Sequence, residues 1–168
     1  MNKKHIAFGV ILIAVILTPV SYFVALDAVS DAVYGLGFDS HSGTIQASGS
    51  VVSFTGEFIW ANKATLSLTI DQVKIAVFVT QSPSEFEGTL NFGGPPAADA
   101  IRIGNVLAEN VVIPANGKGG VSRTFEVASE EALNLIRTGN YSLSADYVEL
   151  TVSGTFLFWH LTPPIAFM

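Results

Sequence analysis

Two histidines, His41 and His160, and the carboxylates Glu126, Asp146 and Glu149 are the side chains of this 168-residue sequence best suited to acid–base or metal chemistry. A hydrolytic site needs a nucleophile beside an imidazole that a carboxylate orients, and no Gly-x-Ser-x-Gly elbow marks such a nucleophile. The three carboxylates fall at strand-like positions, where acidic residues ordinarily form a solvated face. Neither an Asp-x-Asp-x-Asp-Gly loop nor a His pair at ligand spacing accompanies them, which disfavours calcium and zinc. Gly35-Leu36-Gly37 and Gly117 to Gly120 lack the strand-to-helix setting and the downstream lysine of a phosphate loop, and read as turns. With no cysteine, a disulfide framework, a thiolate metal site and a Cys nucleophile are all excluded. The sequence nominates no catalytic residue, metal ligand or cofactor, and the chain reads as a non-enzymatic module.

One modification motif stands out. Asn140-Tyr141-Ser142 is a formal N-glycosylation sequon, relevant only to a domain outside the cell membrane. Trp60, Trp159 and the twelve Phe residues raise the idea of an aromatic ligand box, but their strand-like spacing favours an ordinary β-core.

The elements that would position these residues begin with an apolar segment. Ile6 to Leu26 carries no charge, and its twenty-one residues span about 30 Å as a helix, the thickness of a bilayer's hydrocarbon core. Lys3 and Lys4 precede it and Asp27 and Asp31 follow, so residues 1–26 read as a single-pass anchor with a cytoplasmic N-terminus. Tyr22 and Phe23 then fall near the outer interface. Two other readings stay open: a signal peptide cleaved near Ser30-Asp31-Ala32, which would make the protein secreted, and an assembly-forming stem helix.

Residues 27–43 show no clear period and read as a connector. From residue 44 to 168 the pattern is that of a β-domain. Val52, Phe54, Gly56, Phe58 and Trp60 alternate with polar residues, and Leu66, Leu68 and Ile70, then Val73, Ile75, Val77 and Val79, repeat the device across a bulge or turn at Asp71-Gln72. Further strands are expected as a pair at Phe86–Phe92 and Ile101–Ile113, then at Val121–Val127, Tyr141–Leu150 and Thr151–His160. Asn116-Gly117 supplies a turn that tolerates positive φ, and Arg123 is placed on an edge or solvated face. Ser129 to Gly139 carries a cap, two early acids, a late Arg and a terminal Gly, the marks of a short helix. Many short strands with one helix predict an antiparallel β-sandwich.

The order of these features resembles the WHy domain of the LEA-14 (late embryogenesis abundant type 2) family. The resemblance runs from Ser48 to Phe158. It rests on Trp60-Ala61-Asn62, on Leu66 to Ile70 with Val73 to Val77, and on Ile103-Gly104 through Ile113-Pro114-Ala115-Asn116-Gly117. Where the family commonly has Asn-Pro, this chain has Asn62-Lys63, so Asn62 must hold the turn without proline's fixed φ. The resemblance implies a fibronectin-III-like sandwich and a protective role in desiccation or other stress, with no catalytic residue.

The balance of 8 basic against 14 acidic residues argues against nucleic acid, because counterion release needs clustered cations. The expected partner is the membrane, through residues 6–26, with a protein partner or self-association beside it. The competing function is a subunit of an extracellular filament or surface assembly, in which residues 27–43 pair with the edge of a neighbouring subunit.

Overall fold

The structure, a computed structural model, describes residues 3–81, 90–93 and 97–165. Helix α1 (Lys3–Tyr34) leads into β1 (Leu36–Ser48), β2 (Val51–Asn62) and β3 (Leu68–Gln81). There follow β4 (Leu90–Phe92), β5 (Ile101–Ile113), β6 (Gly117–Val127), α2 (Glu130–Thr138), β7 (Tyr141–Phe156) and β8 (Trp159–Leu161). Strands β1-β2-β6 form one sheet; β4-β7-β3-β5 form the other, with β8 paired to β7.

The period-two pattern decides how the sheets meet. Phe54, Phe58 and Trp60 of β2 and Leu68, Ile70, Val73, Ile75 and Val77 of β3 are buried between the layers. The phase of β3 changes where expected: Asp71 is bulged out of the pairing with β7 and accepts a hydrogen bond from Ser153 Oγ at 2.8 Å. Around α2, Ser129 Oγ accepts from Ala132 N–H and Gly139 closes the helix at φ 74°.

Three expectations are corrected. Residues 27–43 are no connector: α1 continues to Tyr34, Gly35 N–H reaches Asp31 O at 2.9 Å, and β1 starts at Leu36. The helix buries one narrow stripe there, Ala25, Val29, Ala32 and Val33, and leaves Asp27, Asp31 and Tyr34 exposed. The second sheet is mixed, because β4 pairs in parallel with β7 and not with β5; residues 86–89 of that expected pair lie outside the described residues. Finally, the last two strands are one, β7, running through a register irregularity at Val148 to Phe156, after which the chain turns into the short β8. Local alternation cannot reveal whether a bulge ends a strand, since the neighbouring strand β3 supplies the ladder that carries β7 through.

The sandwich thus has two poles. The helix pole gathers the end of β2, the start of β3, the β5–β6 turn and the end of β7. At the far pole lie the β1–β2 hairpin, α2 and the start of β7.

Candidate functional site

The residues first suited to chemistry do not converge. His41, on β1, donates through Nε2 to Leu90 O at 2.9 Å, while His160, on β8, pairs its Nδ1 with Thr155 Oγ1 at 3.0 Å at the helix pole. Glu126 lies on β6 opposite Ser53, in the other sheet from Asp146 and Glu149 on β7. Asp146 accepts its neighbour Tyr147 N–H at 2.8 Å. Among the described residues no three His, Asp or Glu side chains are grouped to hold a metal ion.

The glycine clusters are packing devices. Gly35-Leu36-Gly37 joins a helix to a strand, the reverse of a phosphate loop's order. On β6, a Cβ on Gly119 would sit 2.6 Å from Val112 O and one on Gly120 2.7 Å from Phe58 O, so only glycine allows that approach. Asn140 is half-buried at the far pole. Its Oδ1 is buried without a hydrogen bond, and Ser142 is buried.

Three groupings have a definite geometry. The first is the network around Asn62, which is buried at the end of β2. Its Nδ2 donates to Leu66 O at 2.7 Å and Pro114 O at 3.2 Å, and its Oδ1 accepts Ala64 N–H at 2.9 Å. Asn116, at φ 49°, returns its N–H to Ala64 O at 2.9 Å. One amide therefore ties the β2–β3 loop to the β5–β6 turn, as expected of a turn held without proline.

The second closes the open side of the sandwich between β1 and β4. Phe38 and Phe92 stack with ring centroids 4.2 Å apart, and Tyr147 meets Phe92 edge-on at 4.8 Å. Trp60 Nε1–H donates to Tyr147 Oη at 2.6 Å. Burial pushes the Tyr147 phenol up to about 12, with the Trp60 hydrogen bond opposing part of that rise. Trp60 is thus a core residue, as its spacing suggested.

The third is the seam between α1 and the sandwich. Val29 is fully buried beside Gly154 of β7, where a Cβ would lie 3.1 Å from Val29 Cγ1 and 3.4 Å from Leu66 Cδ2. Lower on the helix, Trp159 Nε1–H donates to Ser21 Oγ at 3.2 Å, and Ser21 in turn donates to Thr18 O at 2.8 Å, just before Pro19. Tyr22 packs edge-on to Trp159 at 5.1 Å. Trp159 therefore belongs to the helix seam, contrary to the core assignment of both tryptophans. The clue in the sequence is Phe156-Leu157-Phe158-Trp159, four large apolar residues in a row that break the period of two.

Above Val15, α1 is long and apolar enough to cross a membrane, and the residues exposed along it include Val15, Ile16, Leu17 and Val20. The far pole carries instead an open cavity of about 460 Å³ lined in part by Gln81, Asp99, Glu131 and Asn134.

No family model matches the chain, and no curated protein is similar to it. Among solved structures it is similar to the crystal structure of a protein from Archaeoglobus fulgidus, at 7% identity and a TM-score of 0.36, over 76% of this chain and 90% of that one.

Proposed function

We propose that the chain is a non-enzymatic β-sandwich module of the WHy type, held on the outer side of a cell membrane by α1 with its N-terminus in the cytoplasm. The observation that carries this reading is the continuity of α1: one unbroken helix passes from an exposed apolar segment into the sandwich core at Ala25, Val29, Ala32 and Val33. Its 32 residues measure about 48 Å, which leaves roughly 18 Å beyond a hydrocarbon core for docking on the sandwich. Lys3 and Lys4 support the orientation. The Asn62 network agrees with the WHy reading in one respect: the asparagine that ends the strand holds the turn after it. A protective role under stress fits a module that presents a cavity of mixed polar and apolar lining away from its anchor.

Carbonate extraction of membranes from expressing cells tests the anchor: the full-length chain stays in the pellet, and its recovery in the supernatant overturns the reading. Mass spectrometry of the mature N-terminus returns Met1 or Asn2; a start near Val33 makes α1 a cleaved signal. In the filament alternative, Leu36 to Gly43 would have to leave its pairing with β2 of its own chain.

A further inference from the structure

The β7–β8 hairpin ends in two of the most exposed large apolar side chains of the sandwich, Leu157 at 66% and Phe158 at 72%. Leu157 adopts φ 57°, a left-handed conformation that a bulky residue rarely takes, and observed backbone outliers of this kind concentrate where a function maintains them. We propose that this tip is a second membrane contact: Leu157 and Phe158 insert into the headgroup–acyl boundary of the lipid bilayer beside α1. The inference rests on the anchor reading above and goes beyond it, because an anchored domain on a free tether needs no such contact.

The relative heights of the elements place the tip there. Gly154 meets α1 at Val29, and Trp159 meets it at Ser21. From Val29 to Ser21 the helix descends about 12 Å, and from Gly154 to Leu157 the strand covers about 10 Å, so β7 runs down along α1 in step with it. The β2–β3 loop, by contrast, touches this seam at the level of Val29, through Leu66. The hairpin reaches the level of Tyr22, which the sequence places at the outer interface, through Trp159. Through Trp159 and Tyr22 the tip is linked to Phe23, whose ring lies edge-on to Tyr22 at 5.9 Å and which, like Val20 and Val24, is more than half exposed.

The chemistry of the collar matches that level of a bilayer. Phe158 packs on Trp159 with centroids 5.1 Å apart, and Trp159 packs on Tyr22. Trp and Tyr, with one polar atom on a large apolar ring, concentrate at the membrane–water boundary. Here the indole N–H is already satisfied by Ser21, so the rings can enter the boundary without an unpaired donor. Two contacts, helix and tip, would fix the tilt and rotation of the sandwich on the membrane.

The absence of cysteine makes the test clean. Full-length Phe158→Cys, Val20→Cys and Ser50→Cys chains, each carrying an environment-sensitive fluorophore, are reconstituted in phosphatidylcholine vesicles containing shallow spin-labelled lipid. The expected result is strong quenching at 158, about half or more of the signal, comparable quenching at 20 and little at Ser50 on the far pole. Quenching at 20 without quenching at 158 overturns the tip contact and leaves the anchor standing. No quenching at either position overturns the anchor reading and the tip with it. Shielding at 158 that grows with protein-to-lipid ratio and resists lipid quenchers assigns the tip to a second copy of this chain and also overturns the proposal. The unlabelled protein supplies an independent measurement, since Trp60 is buried in the sandwich: lipids brominated near the headgroup quench the Trp159 fraction of the emission, and Leu157→Ser with Phe158→Ser reduces that quenching.

Discussion

The two poles of the sandwich are built on opposite plans. At the helix pole, main-chain groups of two loops converge on one buried amide, glycines let strands approach within contact distance, and a helix is packed into the end of the core. The far pole relies mainly on local devices, a hairpin turning on Gly49 at φ 58° and the Ser129 cap, with one exposed long-range tie from Arg137 to Gly49 O. Long-range ties resist opening because several groups lose partners together; a local cap frays alone. The difference teaches where the molecule is held and where it is free to present a surface.

The contrast can be broken by substitution, with stability followed as the denaturant midpoint of the full-length chain in detergent. Asn62→Ala strips partners from Leu66 O, Pro114 O and Ala64 N–H at once and is expected to cost about 4 kcal/mol, the largest effect of the series. Gly154→Val drives side-chain atoms into Val29, Leu66 and Leu68 and should cost about 2 to 3 kcal/mol. That variant should also expose the α1–sandwich seam to limited proteolysis, which Asn62→Ala need not do.

Tyr147→Phe, between the poles, leaves Trp60 Nε1–H without its acceptor and is expected to cost about 1 to 2 kcal/mol at neutral pH. It also has a pH signature. Folding raises the phenol from its ordinary 10.0 to about 12, so the stability linked to it is complete below pH 10.0 and is lost as the pH rises through about 12. A titration of stability from pH 9 to 12 should fall more steeply for the native chain than for Tyr147→Phe. Ser129→Ala removes only a helix cap and should cost about 1 kcal/mol. A loss as large as that of Asn62→Ala would erase the distinction between the poles.

Much of this contrast was legible from local chemistry. The cap and stop of α2, the positive-φ Asn116, the bulge at Asp71 and the solvated Arg123 each depend on a few neighbouring residues, and each stands where its residue type placed it. Asn62 was legible as a turn holder but not as the hub of two loops, because Pro114 lies 52 positions away. The α1 seam was not legible at all. Its contacts pair residues 125 to 138 positions apart, Val29 with Gly154 and Ser21 with Trp159, and no local pattern announces them.

By itself the sequence determined the period-two faces, the apolar span, the turns and the absence of a marked catalytic constellation, all properties of residue type and short spacing. Only the tertiary structure decided that the span and the sandwich are one body, that β4 joins β7 in parallel, and that Trp159 is brought against Tyr22. The reason is physical: alternation tells a strand which face to bury, but which strand, helix or lipid covers that face depends on partners brought together by the whole fold.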